Sequence, residues 1–118
     1  MYDSSKRLNK VYGSIGEDLA NKYLTQKGYK IVERNYKNRI GEIDIIALDK
    51  GVIVFVEVKY RHNDKFGMPR EAVNKNKQFK IRQVATLYLK IKHKFDSKCR
   101  FDVIEILDDK ITHLENCF

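Results

Sequence analysis

Asp44, Glu57 and Lys59 are two acids and an amine set inside apolar segments, in GEIDIIALDKGVIVFVEVKYR, residues 41–61. Side chains alternate along a strand, so Glu57 and Lys59 share a face. If the turn is Lys50-Gly51, Asp49 faces Val52, and counting outward sets Asp44 opposite Glu57 and Glu42 opposite Lys59. Opposed Cβ atoms lie about 4.5–5.5 Å apart. Two carboxylates that close repel unless a cation sits between them. Mg²⁺ takes hard oxygen ligands, commonly one or two carboxylates completed by water and substrate phosphate. A neighbouring lysine can hold or deprotonate a water, or balance charge on a pentavalent phosphorus. The metal lowers the pKa of bound water and stabilises the departing oxyanion. The chemistry that fits is phosphodiester hydrolysis assisted by Mg²⁺ or Mn²⁺.

Two features bear on that reading. A one-residue slip would put Asp44 and Glu57 on different faces. The same charges would also serve as a solvated face with cross-strand ion pairs, each contributing little. Against this, Ile53 and Phe55 share the face of Glu57 and Lys59, and Ile46 and Leu48 share that of Asp44. Strands apolar on both faces near their turn are buried on both sides, and polar only where they enter a cleft.

The elements that must position these groups follow from periodicity. Ile15, Leu19, Ala20, Tyr23 and Leu24 recur at helical spacing, predicting a helix over about 14–27, capped by Ser14 and ended by Gly28. Strands are expected at 29–36, 42–49 and 52–60, the last two forming a hairpin. RHNDKFGM, residues 61–68, reads as a loop, and Pro69 suits a first helical turn running into REAVN. A long helix follows at about 75–91 with an apolar stripe of Ile81, Val84, Ala85 and Tyr88. Strands at 99–107 and 110–115 complete the order αβββαββ, an α/β class with a central mixed sheet flanked by helices. Residues 1–12 read as a flexible basic arm and 13–118 as a single domain.

Composition narrows the partners. Lys and Arg number 24 against 16 acids, a net charge of +8 on 118 residues. Such a surplus favours a polyanion, chiefly nucleic acid. Residues 74–95 contain seven Lys or Arg and no acid. Lys77 lies in line with the apolar stripe of its helix, where it either snorkels along the core edge or reaches a phosphate. Arg61 continues the Glu57 and Lys59 face. Lys75, Lys80, Arg82, Lys90, Lys92 and Lys94 read as a solvated face that together forms a nonspecific phosphate track. Tyr60, Phe66 and Tyr88 are candidates for stacking on bases, with a core role favoured for Tyr88. No apolar run approaches the roughly 18 residues of a membrane span, and MYDSSKRLNK lacks a signal peptide's hydrophobic stretch. A cytoplasmic protein with no membrane partner is expected. Cys99 and Cys117 suit a reducing compartment, with a single bridge between them the lesser alternative. His62, His93 and His113 are too scattered to support a zinc site.

GEIDIIA followed by VFVEVKYR resembles the short D-x(n)-E-x-K core of the PD-(D/E)xK, restriction-endonuclease-like nucleases. The wider set is more specific: G-x-x-G-E-D-x-A, ERNY, GEIDIIA, VFVEVKYR, FGMPREAV, Lys77, RFDVIEI and a His-containing end. Together these resemble the YraN family of small bacterial proteins over about residues 13–118. That resemblance implies an endonuclease with a restriction-endonuclease-like fold, similar to archaeal Holliday-junction resolvases. It implies Asp44 and Glu57 as metal ligands, the Val58 carbonyl as a third, and Lys59 as the catalytic lysine. Glu17 matches the helical acid of resolvase-like members. Ile43 stands where the superfamily name has Pro. Ser14-x-x-Glu17 is also a capping box, which would turn Glu17 back onto its own helix. Arg61, Lys77, Lys80 and Arg82 would bind nucleic acid, DNA more readily than RNA, and a homodimer would cut two strands. The competing readings are a nucleic-acid-binding module that cuts little or nothing alone, and an interaction protein whose strand acids are surface ion pairs.

Overall fold

The computed structural model describes residues 4–61 and 73–118. The described elements are α1 (Ser4–Gln26), β1 (Lys30–Lys37), β2 (Glu42–Asp49), β3 (Val52–Arg61), α2 (Lys75–Ile91), β4 (Cys99–Leu107) and β5 (Lys110–Leu114). This is the expected order. The loop at 62–68, Phe66, and the turn after Pro69 lie outside the described residues.

The five strands form one sheet in the order β1-β2-β3-β4-β5. β3 and β4 are parallel, and the other neighbours are antiparallel. The parallel pair needs a crossover, and α2 lies within it. Lys50 and Gly51 both take positive φ, 51° and 85°, as a two-residue hairpin of the right twist requires. Asp49 therefore pairs with Val52, and the expected register holds down to Ile45 with Val56.

The helices cover opposite faces. Ala20 and Leu24 of α1 pack on Ile45, Ala47, Val54, Val56, Ile104 and Ile106. Ile81, Val84, Ala85 and Tyr88 of α2 pack on Ile43, Ile46, Ile53 and Phe55. Residues 53–56 are thus buried on both sides, which is why they form an unbroken apolar run. Tyr88 is a core residue, edge-on to Tyr36 and Phe55. Tyr60 packs against the α1-side core.

The ends of the helices show where local sequence decides. Asn74 caps α2, its side chain accepting from the Lys77 N–H at 2.9 Å. Gly28 takes φ 97° after α1, letting the Tyr29 N–H reach the Leu24 carbonyl at 3.0 Å. The start of α1 differs from expectation. It begins at Ser4, so Ser14 is interior and most of the segment expected as an arm is helical. SSKRLNKVY has no proline, and Gly13 costs about 1 kcal/mol in a helix interior. Extending a helix already nucleated is easier than starting one at Ser14.

Candidate active site

The sheet forks at the candidate residues. Paired positions of β2 and β3 run from Asp49 with Val52 to Ile45 with Val56. Beyond that point β2 stays with β1 as far as Glu42 opposite Lys37. β3 stays with β4 as far as Arg61 beside Leu107. Asp44 and Glu57 are the next residues on each side of the divergence. The Val58 N–H, freed from the ladder there, donates to Asp44 Oδ2 at 2.8 Å. A side chain thus takes the place of a strand carbonyl and anchors the carboxylate in the gap.

The divergence corrects one expectation. Glu42 does not face Lys59: its carboxylate lies 3.7 Å from Lys37 Nζ. Lys59 runs beside Glu105 of β4, and its amine lies 3.3 Å from Glu57 Oε1.

Both helices feed the fork. Gly16 of α1 lies so close to β3 that a Cβ there would sit 2.7 Å from Tyr60 Cβ. That approach needs glycine, and it brings the adjacent Glu17 within electrostatic reach of Asp44. Since Ser14 is interior to α1, Glu17 is not part of a capping box; the Asn35 side chain, near it, favours its ionised form. From the other face, Lys77 in the first turn of α2 places Nζ 2.8 Å from Glu57 Oε1. Of the five groups expected from sequence, Glu57, Lys59 and Lys77 meet directly, Asp44 is held beside them by the Val58 N–H, and Glu17 lies within electrostatic reach of Asp44.

A model of the uncharacterised protein family UPF0102 matches residues 16–106, which contain all five. The chain belongs to the UPF0102 family, the YraN family that its motifs resemble. It is 46% identical to a UPF0102 protein of Caldanaerobacter subterraneus subsp. tengcongensis, over 96% of this chain and 99% of the relative. A relative from Alkaliphilus oremlandii is 50% identical over 94% and 100%. One from Thermodesulfovibrio yellowstonii is 51% identical over 90% and 94%.

The electrostatics of this UPF0102 site are those of crowded, half-dry charges. Burial pushes the Asp44 carboxyl up to about 7, with Glu57 and Glu17 adding to the rise and the Val58 N–H and Lys77 opposing it. Burial also raises Glu17, against its bond from Asn35 and the charge of Arg34. Burial lowers the Lys59 ammonium, and the neighbouring Lys77 lowers it further, against the pull of Glu57. Lys77 goes the other way: its bonds with Glu57 and Lys59 outweigh the burial that would lower it.

Asp44 and Glu57 are the two side chains at the fork that could hold a cation. Among the described residues, no three His, Cys, Asp or Glu side chains gather as a protein-only cage. Two carboxylates completed by water and substrate oxygens are nonetheless what Mg²⁺ commonly takes. Glu57 is 6% exposed and its Oε1 meets both the Lys59 and the Lys77 amine, so a cation there would compete with these two groups.

The other expected contacts are dispersed. Lys80 lies along Gly41, its Cε 3.6 Å from where a Cβ would be. The Arg82 guanidinium sits 5.8 Å over the Phe101 ring, a structural use that sequence did not suggest. Arg61 is half-buried, its Nε without a hydrogen-bond partner among the described residues.

Sequence reading also missed a second polar cluster. Asp102, fully buried, accepts from Arg100 Nε at 3.1 Å and the Asn116 N–H at 2.9 Å, and meets His113 Nε2 at 2.7 Å. Arg100 also donates to Asp49 and Tyr29. Burial alone would raise Asp102, but its bonds from His113, Arg100 and Asn116 hold it below the usual range. A lone Asp in RFDVIEI was its only signal. Cys99 and Cys117 are exposed and form no disulfide, and among the described residues no helix is long and apolar enough to cross a membrane.

Proposed function

We propose that this UPF0102 protein is a metal-dependent endonuclease of restriction-endonuclease-like fold, cutting DNA in the cytoplasm. The observation that carries the reading is the convergence of Asp44, Glu57 and Lys59 at the divergence of β2 and β3. Asp44, Glu57 and the Val58 carbonyl would hold Mg²⁺ or Mn²⁺. The ion supplies Lewis-acid activation of water and charge stabilisation at the leaving oxygen.

The chain's own groups do the rest. Lys59, with its lowered pKa, takes the proton released by the attacking water at Nζ. The new P–O bond forms as the bond to the leaving oxygen breaks, and that oxygen is protonated from solvent. Lys77, which can exchange Glu57 for a phosphate oxygen, positions the strand. Glu17 shares the negative field that draws the cation. The excess of Lys and Arg supplies affinity for the phosphodiester backbone. Two copies acting together would cut two strands.

One observation favours a second reading, a DNA-binding module that does not cut. Lys59 and Lys77 already neutralise Glu57 without a metal. Purified protein assayed with Mn²⁺ on linear, single-stranded and branched DNA separates the two. The nuclease reading expects products from the wild type and none from Asp44→Ala or Lys59→Ala. Tight DNA binding with no cation uptake and no products would leave the binding module. Cleavage surviving both substitutions would remove the assignment of the site.

A further inference from the structure

Asn35 stands out on backbone grounds. It lies within β1, yet its φ is 51°, the left-handed region that side chains other than Asn and Asp rarely enter. Its position falls between the pairs Arg34 with Ile45 and Tyr36 with Ile43, which sets it across from Asp44.

Alternation fails on both strands at this point. Arg34 turns to the α1 face, 2.6 Å from Asp18, whereas Tyr36, two residues on, packs edge-on to Tyr88 of α2. On β2, Ile45 is in the α1-side core but Ile43 is in the α2-side core. Residues two apart in a regular strand share a face. The switch therefore happens at Asn35 and Asp44 together. It frees Asp44 from either core face, so its carboxylate meets the Val58 N–H in the gap. The Asn35 side chain, meanwhile, is near enough to Glu17 to favour its ionised form.

We propose that Asn35 is a positioning residue of this site, its left-handed backbone aiming Asp44 into the fork while its amide holds Glu17 beside it. The proposal rests on the nuclease reading and adds a residue that composition and spacing did not mark. The two jobs are separable, because glycine keeps the backbone and loses the amide.

The test is a double-mutant cycle of Asn35→Gly and Glu17→Ala, read in Mn²⁺ affinity by calorimetry and in kcat and KM for DNA cleavage. Asn35→Gly is expected to fold as the wild type does and to lose about tenfold in Mn²⁺ affinity or kcat, as removal of an outer partner does. KM should be unchanged, and the double variant should be no worse than Glu17→Ala alone. Wild-type behaviour of Asn35→Gly, or losses that multiply in the double variant, would overturn the proposal. If the wild type neither takes up Mn²⁺ nor cuts, the nuclease reading falls. Hydrogen exchange at the Val58 amide then decides the part of Asn35. Faster exchange in Asn35→Ala than in Asn35→Gly supports it, and equal rates overturn it.

Discussion

At the residue scale, Asp44 carries the greatest strain of charge. Its carboxyl rises from an ordinary 3.8 to about 7, chiefly by burial and then by Glu57. Between those values the folded protein keeps a proton that the unfolded chain has released. Stability therefore falls as pH rises through that window and levels off above it. Asp44→Asn removes this cost. Without divalent metal at pH 8, its melting temperature should rise, by an amount equivalent to on the order of 2 kcal/mol. Between pH 4 and 7 its stability should slope downward less than the wild type's. Calorimetric melting across pH checks both. An ordinary surface ion pair would show neither effect, since exposed pairs contribute little. Sequence displayed the types and spacing of Asp44, Glu57 and Lys59 because strand alternation is a local rule. It did not display Asn35, whose role depends on a φ value, or the true partner of Lys59, which depends on where two strands part.

At the scale of elements, the hairpin and α2 were legible because Lys50-Gly51 and Asn74 act through adjacent backbone. The start of α1 was not, because Ser14 is a good cap that the longer helix does not use. The cluster around Asp102 was equally hidden, since its members come from β4, β5, the β2 end, Tyr29 and the C-terminal segment. It ties those pieces together: the Asn116 N–H bonds Asp102, and Phe118 stacks on Phe101 at 5.3 Å. Asp102→Ala should cost about 3 kcal/mol or more in denaturant unfolding, because it leaves the half-buried Arg100 and the His113 side chain short of their shared acceptor. The wild-type contribution of this carboxylate is present above its unfolded pKa and is lost as pH falls through its depressed folded value. That acid-side loss lies below the window in which Asp44 acts.

At the scale of the whole molecule, the net charge of +8 and the acid-free span 74–95 would set how the proposed nuclease meets a polyanion. If Lys75, Lys80 and Lys90, all exposed on α2, contact phosphates, replacing them with Gln should weaken DNA binding evenly across sequences. The slope of log affinity against log salt should then flatten by about one for each phosphate contact removed. Fluorescence titrations at several salt concentrations would read it; an unchanged slope would place the DNA on another face. The central claim is narrower: the carboxylates at the fork form one seat for a divalent ion. Titrating metal-free protein with Mn²⁺ by calorimetry, wild type against Asp44→Asn, tests it most directly. One saturable site in the wild type, lost in the variant, is the expected result. Equal heats in the two proteins, or no uptake by the wild type, would contradict it.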